Sequence, residues 1–177
     1  MAETRASGEN ARPETAAAGA ADGFPVPLRD RYFEDYRPGI TCTYGDTLVT
    51  EDAVIAFASE FDPQSFHVDA AAAAEGPFHG LIASGWHTSA IMMRILVENF
   101  LNDAASLASP GVDELRWLKP VRPGDRLSVR FTVLEARASQ SKPDRGLVRT
   151  GIEVLNQKDD TVMTMVGLSM IRRRPVS

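Results

Sequence analysis

The chain of 177 residues is 44% hydrophobic and carries a formal net charge of −5. That suits one domain with a substantial core, leaves two full domains cramped, and argues against a dedicated nucleic-acid binder, which needs a surplus of Lys and Arg along one face. A single cysteine, Cys42, excludes an intrachain disulfide framework and fits a reducing cytoplasm, and no apolar run reaches the ~18–20 residues of a membrane span, because "GLIASGWHTSAIMMRILVENFL" is interrupted by His87, Arg94, Glu98 and Asn99.

Residues 1–27 are rich in Ala, Gly, Glu and Pro and almost free of large apolar side chains, so they predict a disordered leader that cannot offset its ordering entropy by burial. Its acids, Glu3, Glu9, Glu14 and Asp22, do not fit an organelle transit peptide. The folded domain is expected over residues 28–177, with a first aromatic cluster at Tyr32, Phe33 and Tyr36 ahead of a Pro38-Gly39 turn. "TCTYGDTLV" then reads as a strand. Thr50 is placed to cap a helix whose first turn carries Glu51 and Asp52 and whose apolar face is Val54, Ile55, Phe57, Ala58 and Phe61. Pro63 ends it, since proline disfavours a helical Asp62 and removes a backbone donor. Asp62 and His67 are therefore expected on a loop at a helix end. Asp69 is placed to cap a short helix over "AAAAA", and the glycines at 76, 80 and 85 in "GPFHGLIASG" mark backbone that something approaches closely.

From Trp86 to Leu101 apolar residues cover most of a helical circumference, leaving His87, Arg94, Glu98 and Asn102 as a narrow polar stripe, so this helix is expected to be enclosed by protein on most sides. Beyond Gly111 the period changes to two. "DRLSVRFTVLEA" sets Leu127, Val129, Phe131 and Val133 on one face, "LVRTGIEVLN" and "TVMTMVGLSMI" continue the pattern, and the turns "VRPGDR", "SKPDRG" and "NQKDDT" space the runs as an antiparallel meander requires. The fold class is α+β: one domain in which an antiparallel sheet wraps around a central helix. The basic run Arg172 to Arg174 reads as the solvated end of the last strand, with a phosphate contact as its alternative.

The chemistry centres on "FDPQSFHVD". A carboxylate and an imidazole sharing one water can both deprotonate it and deliver a proton to carbon, each transfer being worth roughly 10²- to 10⁴-fold when correctly placed. Asp62 and His67 are of the right types. Gly85 stands at the start of the enclosed helix, where amide N–H groups lack intrahelical partners and the dipole favours a developing oxyanion. Other readings exist for each residue: Asp62 as a turn residue, His67 as a structural histidine, and Asp62, His67, Asp69, His79 and His87 as metal ligands, although no His-x-His or His-x3-His pair occurs. Ser65, Ser84 and Ser89 lack the G-x-S-x-G setting of a hydrolase nucleophile. Trp86, Trp117 and the methionines at 92, 93, 163, 165 and 170 fit either core filling or the lining of an acyl channel.

"FASEFDPQSFHVDAAAAAEGPFHGLIASGWH" resembles the motif of the MaoC-like dehydratase family, in its R-specific enoyl-CoA hydratase branch of the hot dog fold. The likeness spans about Tyr32 to Arg173, with "LKPVRPGDRL" matching the turn that enters the family's long strands. It implies Asp62 and His67 as the catalytic pair and the Gly85 N–H as the oxyanion donor, with Gln64, Phe66, Ser84 and Trp86 as candidate substrate contacts. The chain departs from the family at Phe61, Gln64, Ser65, Phe66 and Ser84, where the pattern has Gly, Asn, Pro, an aliphatic residue and often His. The implied activity is reversible addition of water to a trans-2-enoyl-CoA to give an (R)-3-hydroxyacyl-CoA. The acyl-CoA is then the substrate, with no cofactor and no metal, and the protein is expected as a cytoplasmic homodimer or higher homo-oligomer. A hot dog thioesterase and a non-catalytic acyl-CoA-binding relative are the alternatives.

Overall fold

The computed structural model describes residues 23–175. Most of the expected leader, residues 1–22, lies outside the described residues. Gly23 to Pro27 are described, and Phe24 packs edge-on against Tyr36 and Phe100 at ring-centroid distances of 5.3 and 5.6 Å. The ordered segment thus reaches back at least to Phe24.

In chain order, strand β1 (Thr41–Leu48) leads to helix α1 (Glu51–Phe61), the one-turn helix α2 (Ser65–Val68), α3 (Ala70–Glu75) and the long helix α4 (Gly85–Asn99). Strands β2 (Ser106–Trp117), β3 (Arg126–Ala138), β4 (Arg145–Leu155) and β5 (Thr161–Arg172) follow. All five strands join one antiparallel sheet in the order β1-β3-β4-β5-β2. β3, β4 and β5 form the expected meander. β1 and β2 precede and follow α4 in the chain yet occupy opposite edges of the sheet, so the chain between them must cross from edge to edge, carrying α4 over one face.

Alternation puts Leu127, Val129, Phe131 and Val133 of β3 and Val148, Ile152 and Val154 of β4 on that face, each at most 1% exposed. They meet Met92, Ile95, Leu96 and Phe100 in one core, where burying each large side chain contributes about 1.5–3 kcal/mol. β1 bends over the helix at a register shift between Tyr44 and Thr47. Gly45 lies there with φ +86°, and a Cβ would stand 2.7 Å from Ile95 Cδ1, so only glycine satisfies both the backbone and the contact.

The C-terminal end of α4 is buried, and its orphan carbonyls take donors from the N-terminal segment. Arg31 Nη1 donates to Asn99 O at 3.2 Å and Tyr36 Oη to Phe100 O at 2.7 Å. The Arg31 guanidinium, buried and stacked 3.9 Å over the Phe24 ring, also opposes the negative end of the helix dipole. Among the described residues no helix is long and apolar enough to cross a membrane.

Three expectations change. α4 is not enclosed on most sides within the protomer: Trp86, Ala90, Met93 and Val97 form an exposed stripe, Trp86 to 57% and Met93 and Val97 to nearly half. β2 carries no alternation and was not expected as a strand. It is an edge strand broken by three register shifts, with Glu114 at φ +56°. In the basic run, Arg173 donates to Glu34 at 2.9 Å and Arg174 to Asp35 at 2.7 Å, so two of its members tie the last strand to the N-terminal segment.

Candidate active site

α1 begins as expected, with Thr50 Oγ1 accepting from the Ala53 N–H at 3.2 Å. It stops at Phe61. Asp62 leaves the helical region at φ −155° and ψ 65°, ahead of Pro63. The chain does not continue as a loop, because Ser65–Val68 wind one helical turn that carries His67 inward to 5% exposure. Asp69 then caps α3, its Oδ1 accepting from Ala71 and Ala72, which accounts for that carboxylate outside the chemistry.

His67 Nδ1 lies 2.8 Å from the Ile82 carbonyl oxygen. A carbonyl only accepts, so Nδ1 carries the proton and Nε2 is the nitrogen left for chemistry. Nε2 stands 3.3 Å from Asp62 Oδ2. At that separation one proton, or a water lying beside both atoms, can serve Nε2 and Oδ2 together, the arrangement of an acid/base pair. Phe66 fixes the ring from its edge, at a centroid distance of 4.4 Å.

Asp62 is held by two donors. Gln64 Nε2 donates to Oδ1 at 2.8 Å and Ser84 Oγ to Oδ2 at 2.7 Å. These bonds, Gln64 first and Ser84 second, together with the nearby imidazole, hold the carboxyl below its ordinary value and keep it ionised at neutral pH. Ser84 is fully buried, and its hydroxyl also accepts from the Trp86 N–H at 3.2 Å as the N-cap of α4.

Several backbone groups around Gly85 are occupied. The Ser84 carbonyl accepts from the Thr88 N–H, and the Gly85 carbonyl accepts from Ser89 Oγ at 2.9 Å. Among the described residues the Gly85 N–H has no acceptor. It is a donor at the positive end of a 15-residue helix, beside a cavity of about 340 Å³. That cavity is lined by His67 and Gly85 together with Phe78, Thr88, Trp117 and Val162, among others.

The sequence-predicted residues fall into two groups. Asp62, His67 and Gly85 converge, with His67 and Gly85 facing the cavity. Gln64 and Ser84 stand behind Asp62, Phe66 packs on His67, and Trp86 lies mostly exposed with its ring 5.1 Å from that of Trp117; none of these four lines the cavity. Of the methionines, Met92, Met163 and Met165 are core and Met93 is exposed. Sequence reasoning did not find the Ile82 carbonyl, Thr88, Val121 or Val162, whose roles depend on chain segments that meet only in the fold. His79 is exposed with φ +53° and is not among the residues that line the cavity.

His87 is buried on α4, stacked on Phe57 at 4.8 Å with rings 10° apart, and its Nδ1 has no partner. Burial pushes its pKa below the ordinary 6.5. Its contribution to stability is therefore complete above the unfolded value and is lost as pH falls through 6.5 toward the lower folded value. His87→Phe, which keeps a ring on Phe57, should lose less stability than the unaltered chain between about pH 7 and pH 5 in denaturant titrations.

A five-stranded antiparallel sheet wrapped on one long helix defines a hot dog domain. Comparison with known proteins narrows the class. The profile of the family described as MaoC like domain matches residues 35–156. The crystal structure of the MaoC-like dehydratase from Rhodospirillum rubrum is 42% identical and superposes with a TM-score of 0.77, over 82% of this chain and 99% of that one. The R-hydratase PhaJ1 from Pseudomonas aeruginosa, in its unliganded form, is 25% identical with a TM-score of 0.63, over 82% of this chain and 95% of that one. The uncharacterized protein YdeM of Bacillus subtilis (strain 168) is 36% identical over 112 residues, 63% of this chain and 77% of its own length. The chain belongs to the MaoC-like domain family and has R-hydratases among its structural neighbours.

Proposed function

We propose that the protein is a hydratase/dehydratase that adds water reversibly to a trans-2-enoyl-CoA to give an (R)-3-hydroxyacyl-CoA. One observation carries this: His67 Nε2, with its tautomer set by the Ile82 carbonyl, faces Asp62 Oδ2 at 3.3 Å beside a cavity that also presents the unpaired Gly85 N–H. A water lying beside Oδ2 and Nε2, on the cavity side, gives up a proton to the pair as its oxygen attacks C3. The pair returns a proton to C2, and the negative charge that develops on the thioester oxygen meets the Gly85 N–H and the helix dipole. Dehydration is the reverse. Asp62 Oδ2 and His67 Nε2 face each other at 3.3 Å, so the two side chains together form the acid/base group. The acyl-CoA is the substrate and no cofactor takes part. That the chain has a single cysteine, the buried Cys42, supports placing the protein in the reducing cytoplasm.

The test is loss of the enoyl absorbance of crotonyl-CoA, run in parallel with a thiol reagent. Loss of absorbance without thiol release supports the hydratase; thiol release identifies a thioesterase; tight binding with neither identifies an acyl-CoA-binding relative.

We further propose a homodimer in which the Trp86, Ala90, Met93 and Val97 stripe of α4 is covered. An apolar stripe on a helix whose pattern reads as enclosed supports a second copy as the missing cover. Sedimentation should show a dimer that Met93→Glu weakens by at least about tenfold in Kd, since one charge would be buried without a partner; a monomeric wild type would overturn the assignment.

A further inference from the structure

Glycine is the softest residue on which to mount an oxyanion donor. Its peptide flanks rotate freely, while a donor is useful only if it is already aimed. The peptide that carries the Gly85 N–H is held on its Ser84 side by the Thr88 N–H, and two further contacts, neither involving the acid/base pair, restrict the glycine on its other side. Trp117 Nε1–H donates to Ser89 Oγ at 3.3 Å, and the Ser89 hydroxyl donates to the Gly85 carbonyl at 2.9 Å. The indole itself lies against the glycine, where a Cβ would stand 2.5 Å from Cδ2 and Cε2. Trp117 is 45% exposed, yet its N–H bonds inward to a hydroxyl.

We propose that Trp117 and Ser89 are positioning residues that fix the Gly85 N–H toward the cavity; in its catalytic consequence this rests on the hydratase reading above. The relay runs from the end of β2 through the first turn of α4. It explains why a glycine is needed at a helix start where any residue could supply an N–H: the ring that holds the peptide occupies the space of a side chain. Because both residues act through one carbonyl, they behave as a single device.

Two arms test it. In steady-state kinetics on an enoyl-CoA, Trp117→Phe, which keeps a ring but loses the N–H, and Ser89→Ala should each lower kcat about 10- to 100-fold while KM stays within about threefold. The double variant should be no slower than the slower single, and Ser89→Thr, which keeps the hydroxyl, should restore kcat. Unchanged kcat, a rise in KM alone, or multiplicative losses in the double variant would overturn the role. In the second arm, the Gly85 amide is followed by ¹⁵N–¹H NMR, where both variants should shift and broaden it and speed its hydrogen exchange, with Tm little altered. An unchanged Gly85 amide overturns the inference whether or not the protein hydrates anything. Absence of hydration by the unaltered protein, with a perturbed Gly85 amide in the variants, instead counts against the hydratase reading alone.

Discussion

Asp62→Asn should lower the rate of enoyl-CoA hydration by roughly 10³-fold, with a far smaller change in KM, and His67→Gln should do about the same. The local structure has reason to survive both changes. An asparagine at 62 can keep its oxygen toward the Ser84 hydroxyl, and the Gln64 amide, which donates at 2.8 Å, can turn its own oxygen to the new NH2 group. A glutamine at 67 places its amide where Nε2 stands, within reach of Asp62 Oδ2. What neither variant can do is hold and return a proton at the shared position. The double variant should be scarcely worse than the slower single, because removing either partner already disables the pair. Full activity in both single variants would sink the assignment.

Gly85→Ala should separate activity from stability. The added methyl would sit 2.5 Å from two Trp117 ring carbons, closer than side chains pack, so the indole or the first turn of α4 must move. Either displacement re-aims the N–H, and loss of one such donor costs roughly 10²-fold in kcat. Stability should change little, because alanine is favoured over glycine in a helix by up to about 1 kcal/mol, which offsets part of the collision. Paired measurements of kcat and Tm check this. A large fall in Tm with kcat preserved would show that Gly85 serves packing alone.

Much of this arrangement was legible from residues whose physics is local. Pro63 had to end α1, Thr50 and Asp69 had to cap, and the alternation of Leu127, Val129, Phe131 and Val133 had to place one face of β3 in the core. The Asp62 and His67 pair was legible as types at a spacing, and the fold supplied the detail that a one-turn helix delivers the histidine. β2 was not legible. An edge strand with Pro110, Gly111 at φ +154° and Glu114 at φ +56° has neither alternation nor regular pairing to announce it. The contact of Trp117 with Gly85 escaped for another reason, since nothing local to either residue refers to the other. The stripe on α4 is a third case: its apolar pattern predicts burial, and the chain by itself leaves Trp86, Met93 and Val97 exposed.

Ser84 carries a consequence for anyone who tries to improve this protein. By capping preference alone Asp and Asn are at least as good as Ser at a helix start, so a consensus-minded stabilising substitution would change it. Yet this one hydroxyl gives its hydrogen to Asp62 and its lone pair to the Trp86 N–H. Aspartate there would set a second negative charge against the first, and asparagine would have to meet the same two partners with two separate atoms of a longer side chain. The residue is a hinge between two design goals, and a gain in thermal tolerance at 84 would be taken directly from the carboxylate to which we assign the chemistry.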